Sequence, residues 1–201
     1  MSEVSSSGPS TRARKIRALL AGGLVLGVGA AVTLAAWNDS VFSTGTFESG
    51  SFHLEGSADG STYAGHDTAA SAADLEFSVD ASNLSPGDTV SAPFAVRLDE
   101  ATTYGANVVV QPSTTTGDVT GLTYSLSTTS AFGCEDPASA DLVSAGTAFG
   151  TEAGTAAFDL AAGDGSAGEP VFLCFTVTAG DALQQGQSGT ATWEFLGTSE
   201  A

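Results

Sequence analysis

A chain of 201 residues with 42% apolar side chains is long enough for one domain with a real core, which argues against a disordered acidic tail. Twenty-three acids stand against five bases, and four of those bases (Arg12, Arg14, Lys15, Arg17) precede residue 18. Beyond residue 36, Arg97 is the one base against 22 acids (the 23 less Glu3), which excludes nucleic-acid binding and attachment to anionic membrane surfaces, since both need clustered cations.

Taken in order, residues 1–11 read as a polar cytoplasmic leader, 12–17 as a cationic n-region and 18–35 as an apolar h-region. A cationic start, an uncharged apolar run and a small-residue end are the marks of an export signal. Thr33 and Ala35 supply the small residues for cleavage between Ala35 and Ala36, so the signal peptide is expected to span 1–35. No Cys lies near that point and the basic cluster holds no twin-Arg pair. The rival reading is an uncleaved type II anchor, because about 20 apolar residues suffice to cross a bilayer. Gly23 and Gly27 make a GxxxG spacing that suits membrane-helix packing, although such spacing arises easily in a Gly/Ala-rich run.

After the signal the periodicity is that of strands, expected at 46–54, 75–81, 89–98, 106–111, 119–127, 155–160, 170–178 and 189–197. Leu75, Phe77 and Val79 alternate with Glu76, Ser78 and Asp80, one face dry and one wet. The run Phe172–Val177 is apolar on both faces and belongs at the centre of a sheet. Ser85-Pro86-Gly87-Asp88 fits a type II turn, and Gly117-Asp118, Gly163-Asp164-Gly165 and Gly180-Asp181 mark further reversals. Residues 56–73 read as a mobile surface loop and 181–187 as a single helical turn. Some eight strands of even spacing predict an all-β protein, a jelly-roll-like antiparallel β-sandwich over 56–201, preceded by an N-terminal signal or transmembrane helix.

Between helix and sandwich, 36–55 forms a segment of its own. Phe42, Phe47 and Phe52 recur every five residues with glycines between them. Odd spacing in a regular strand would alternate faces, and the glycines permit bends that return the rings to one groove. Either this is a bent first strand packed in its own domain or it is an arm that completes a neighbour's sheet. As an arm, its apolar anchors are Trp37, Phe42, Phe47, Phe52 and Leu54.

Cys134 and Cys174 are the whole thiol inventory, and an even count in an exported chain predicts a disulfide, with two separate buried thiols as the alternative. The groups that enzymes need are missing. His53 and His66 form no HExxH, His53 reads as a solvent-facing strand residue, no GxSxG elbow occurs, and no lysine follows residue 15. The chain is therefore read as a non-enzyme without catalytic residues, cofactor or dedicated metal site. A structural calcium would have to be assembled from separate loops around Asp59, Asp88 or Asp164, since no DxDxDG spacing occurs.

Ala35-Ala36-Trp37-Asn38-Asp39, then Phe47-Glu48-Ser49-Gly50-Ser51-Phe52-His53-Leu54, then Asn83-Leu84-Ser85-Pro86-Gly87-Asp88 resemble the pattern of the TasA/camelysin family. The likeness covers 15–98 closely and 99–180 loosely, with an echo at Gln187–Phe195. It implies release by a SipW-type signal peptidase, a jelly-roll fold, secretion to the cell surface and, for some members, self-association into biofilm-matrix fibres. Protease activity described in the family finds no residues here to carry it. The expected function is thus a secreted fibre subunit joined through its freed N-terminal arm; the alternative is a monomeric adhesion or ligand-binding module of the cell envelope.

Overall fold

The computed structural model describes residues 10–32, 40–46, 50–78, 81–151 and 156–200. The chain divides into two compact units, Met1–Phe47 and Glu48–Ala201.

The first unit holds one helix, α1 (Thr11–Val32). Ser10, a favoured N-cap residue type, contributes the carbonyl that accepts from Arg14 N–H at 3.2 Å. Four bases fill the first two turns, and no acid is there to favour the helix dipole. Such a placement does not favour the helix dipole. Ile16, Leu19, Leu20 and Leu24 are exposed. Among the described residues no helix is long and apolar enough to cross a membrane. The end of the expected h-region and its cleavage point lie outside the described residues.

The second unit is built of strands in antiparallel sheets. These are β1 (Leu54–Ser57), β2 (Thr89–Leu98), β3 (Ala106–Val110), β4 (Thr114–Gly117), β5 (Leu122–Thr129), β6 (Ala140–Ala148), β7 (Ala157–Leu160), β8 (Val171–Ala179), β9 (Gly189–Thr192) and β10 (Phe195–Ser199). A five-stranded sheet has the order β1-β2-β8-β5-β6, a three-stranded sheet β10-β3-β7, and β4 with β9 makes a ribbon. Both larger sheets turn apolar residues into one core: Val90, Phe94, Val96 and Leu98 from β2, Leu173, Phe175 and Val177 from β8, Val108 and Val110 from β3. β8 sits at the centre of its sheet, as its two apolar faces require.

The outer face of β8 is covered too. Cys174 is bonded to Cys134, 40 residues away, and Phe172 packs edge-on against Phe132 at 6.2 Å. The β5–β6 connection is thereby clamped across the sheet. Closing a loop of that length contributes about 4 kcal/mol in the chain-entropy picture.

Several elements differ from the sequence expectation, each for a physical reason. The first strand, expected over 46–54, begins only at Leu54, because only there does it reach β2, pairing Leu54 with Leu98. The described residues of the expected strand 75–81 form no ladder, residues 79 and 80 lying outside them. Ser78 N–H donates to the Ser91 carbonyl at 2.8 Å, but the next ladder pair would set Glu76 opposite Pro93, which has no N–H to give. Leu75 and Phe77 still pack against the core, so the alternation identifies the buried face correctly. The run 189–197 breaks into β9 and β10 at Trp193-Glu194, where the chain passes from ribbon to sheet. β4 and β6 are not expected from the sequence. All four residues of β4 are exposed, and in β6 only Val143 is buried.

The segment 56–73 is not a free loop. Gly56 and Ala64 exchange both backbone hydrogen bonds (2.9 and 3.1 Å), Asp59 caps the turn between them, and Ala69–Ser71 form a 3-10 turn. Residues 181–187 make turns rather than a helical turn. The Ser85–Asp88 turn is as expected: Gly87 has φ +93°, Asp88 N–H donates to Ser85 O at 2.9 Å, and Asp88 Oδ2 accepts from Ser85 N–H at 2.8 Å.

Candidate interaction groove

The five expected arm anchors do not share one fate. Trp37 and Phe47, with Ala35 and Ala36 of the expected cleavage point, lie outside the described residues. Phe42 is 92% exposed and its neighbour Val41 is 93% exposed, on a segment (40–46) that pairs with no strand among the described residues. Phe52 and Leu54, by contrast, pack against the core of their own domain.

What holds that last pair in place is local and polar. Thr102, 1% exposed, accepts from His53 N–H at 2.9 Å and gives its hydroxyl proton to Asp99 Oδ1 at 2.6 Å, while Asp99 N–H donates to the His53 carbonyl at 3.1 Å. The Ser51 hydroxyl donates to Ala101 O. Bolted at His53, the chain drives Phe52 and Leu54 over β10. A Cβ on Gly197 would come within 2.5 Å of Leu54 and 3.0 Å of Phe52, so any larger residue there would have to displace these two side chains.

Next to these side chains lies a groove of about 510 Å³. Its walls are Phe52, Leu54, Phe94, Phe175, Trp193 and Phe195, and its rim carries His53, His66, Asp67 and Glu194. Volume and lining fall in the range of sites that take an apolar ligand or an anchoring side chain. The wall is stiff because its rings brace one another. Phe175 and Trp193 lie 4.6 Å apart, Phe94 stacks on Phe195 at 5.9 Å, and Trp193 meets Tyr124 edge-on at 5.7 Å. The Tyr124 hydroxyl and Trp193 Nε1 are buried without hydrogen-bond partners among the described residues, although Trp193 and Ser113 stand near the phenol. Burial accordingly pushes the Tyr124 phenol above its ordinary value.

Both histidines of the chain line this one groove. By sequence His53 is a strand residue facing solvent; in the structure it is exposed but precedes the strand, at the groove's mouth. His66 Nδ1 donates to the Ser71 carbonyl at 2.7 Å, which leaves Nε2 to meet an occupant. Sequence reading misses the groove because its wall comes from β1, β2, β8 and β10, which are far apart along the chain.

Asp59, Asp118, Glu55 and Arg97 make contacts within the fold. Asp59 Oδ1 accepts from Thr62 N–H (2.6 Å), Ser61 N–H (2.8 Å) and Ser57 Oγ (2.9 Å). These bonds, Thr62 first, hold its carboxyl well below the usual range. Thr120 N–H and the Gln187 side chain lower Asp118 in the same way. Arg97, the lone base of the domain, donates to Glu55 through Nε (2.9 Å) and a terminal nitrogen (2.8 Å) and lies 3.8 Å over the Tyr63 ring. Among the described residues no group of three or more His, Cys, Asp or Glu could hold a metal ion. The Asp59 and Asp88 carboxylates, weighed above for calcium, instead cap their own turns.

No protein-family model, curated protein or solved structure matches this chain.

Proposed function

We propose that this protein is an exported structural subunit, a jelly-roll β-sandwich that assembles into extracellular fibres by lending its N-terminal arm to a neighbour's sheet. The supporting observation is the presence in one chain of an exposed, unladdered segment carrying Val41 and Phe42 and of a groove walled by aromatic rings on the domain that follows. Burying two such side chains contributes about 1.5–3 kcal/mol each, enough to favour a repeated contact between subunits. Cationic residues 12–17 followed by an uncharged apolar run support export, with the signal cut by a SipW-type peptidase after Ala35. The Cys134–Cys174 bond is compatible with an oxidising, extracellular location. No catalytic role, cofactor or metal is assigned to any residue.

The arm available to a neighbour is shorter than sequence alone suggests. Phe52 and Leu54 belong to the home domain, so the donated part ends before Gly50. A truncation at Gly56 would remove core residues and test folding instead of assembly. Electron microscopy and size-exclusion chromatography of the wild type against the double substitution Val41→Asp, Phe42→Asp are the appropriate test. The wild type is expected to elute at high mass and form fibres, and the variant to remain monomeric. Identical monomers at every concentration would defeat the proposal. Mass spectrometry of the secreted N-terminus is expected to begin at Ala36; an intact leader in the membrane argues for the anchor instead.

The groove favours a second reading, a monomeric envelope module that binds a small apolar ligand. That reading requires Trp193 fluorescence to respond to a ligand in a protein that never assembles.

A further inference from the structure

We propose that the outer edge of β10, Phe195–Ser199, is the surface that receives residues 40–46 of a second copy of this chain. The inference rests on the fibre reading above and names its acceptor. Its basis is the hydrogen bonding of the sheet edges, taken one by one.

In β10 the Glu194 carbonyl accepts from Gln111 N–H at 2.9 Å, and Glu200 N–H donates to the Gly105 carbonyl at 2.8 Å. Both bonds point to β3, and the register of the pair is unbroken from Phe195–Val110 to Ser199–Ala106. Alternation along a strand then turns the amides and carbonyls of Phe195, Gly197 and Ser199 away from β3. None of these groups has a hydrogen-bond partner among the described residues. The edge carries no charge and no proline, and it borders the aromatic groove through Phe195.

Every other edge of the two larger sheets is guarded. The outer side of β1 is closed by the reciprocal bonds between Gly56 and Ala64. Where β2 extends past β1, Pro93 withholds a donor and Ser78 occupies the Ser91 carbonyl. β6 carries Asp141 and two register shifts against β5, irregularities that spoil an edge as a template. β7 has four residues, and its Asp159 is bound to Asn107 at 2.8 Å. Among the described edges of the two larger sheets, β10 alone presents a regular, uncharged row of unpaired groups.

The occupant fits that row. Ser40-Val41-Phe42-Ser43-Thr44-Gly45-Thr46 contains neither charge nor proline, so it can pair along its length and brings no like charge to an acidic domain. Phe42 is the ring that would enter the groove. An own-chain hairpin is the competing arrangement, and the experiment is designed to detect it.

Secreted chains carrying Ser43→Cys are mixed with secreted chains carrying Ser199→Cys and treated with a short bis-maleimide; the native cysteines are occupied by their disulfide. Chains carrying Ser43→Cys mixed with Asp141→Cys probe the β6 edge, and the double variant Ser43→Cys, Ser199→Cys is run alone. The expected result is a cross-linked heterodimer in the first mixture and none in the second. In parallel, Ser199→Pro removes one outward N–H, a change an edge tolerates. It should raise the concentration needed for assembly on the order of fivefold, as one lost hydrogen bond implies, without moving the thermal midpoint. Cross-linking through Asp141→Cys, cross-linking only within the double variant, or Ser199→Pro assembling as wild type would each overturn the β10 assignment. In those cases a wild type that still forms fibres keeps the broader reading alive. A wild type that never assembles defeats both.

Discussion

Single residues here do more to shape turns than to prepare chemistry. Asp59 is the clearest case: three donors converge on one carboxylate oxygen, and the carboxyl is lowered from its ordinary 3.8. A carboxyl whose folded pKa is depressed contributes stability that is complete above its unfolded value. That contribution fades as pH falls through that value toward the folded one. Asp118, lowered by Thr120 N–H and Gln187, acts in the same direction. Asp59→Asn is therefore expected to flatten the acid limb of a stability-versus-pH profile below about pH 4. Chemical denaturation at stepped pH measures this, and an unchanged acid limb would show that the cap is not coupled to folding. By sequence Asp59 falls in a loop and is a candidate calcium donor. Nothing local in the chain reveals that Ser57, Ser61 and Thr62 turn inward and occupy the same oxygen.

Elements are legible where two patterns agree. β2 is expected at 89–98 and is found at Thr89–Leu98, because alternation, a type II turn before it and β-branched residues all favour a strand there. β3 differs from expectation by one residue at its end, and β8 is displaced by one residue at both ends. β6 escapes sequence reading because its Ala, Gly and Ser content carries little strand preference; pairing with β5, and not its own composition, makes it a strand. The strap at 73–78 shows the opposite failure, a strand-like sequence denied its ladder by a proline on the neighbouring strand. Pro93→Thr restores the missing donor opposite Glu76. Hydrogen exchange is expected to find the amide newly present at position 93 protected and the Ser78 amide slowed. A new amide exchanging at the rate of an open loop would refute this account of the strap.

For the whole molecule, charge is the dominant condition. The formal charge is −18, and in the domain the one base, Arg97, is already matched by Glu55. Excess like charge makes copies of the chain repel one another while straining each folded domain. Salt shortens the reach of that repulsion to about 3 Å at 1 M. The melting temperature is thus expected to rise between low salt and about 1 M sodium chloride, and under the proposed fibre function assembly would accelerate over the same range. Calorimetry and light scattering at matched protein concentration test both, and a melting point that falls with salt would contradict the electrostatic account.

Composition and local pattern alone pointed to an acidic, strand-rich domain behind a cationic, apolar N-terminal segment, to a bond between Cys134 and Cys174, and to positive φ at Gly87 in the turn at Ser85–Asp88. These are properties of near neighbours or of a pair with no alternative partner, so they are written in the chain itself. Tertiary structure decided which aromatics are exposed and which are already seated, that both histidines meet at one groove, and which sheet edge stays open. Such properties arise from strands far apart in sequence meeting in space. Phe52 and Leu54 are held because Gly197, far along the chain, leaves them room, and the ladder at 75–78 fails because of a proline on another strand.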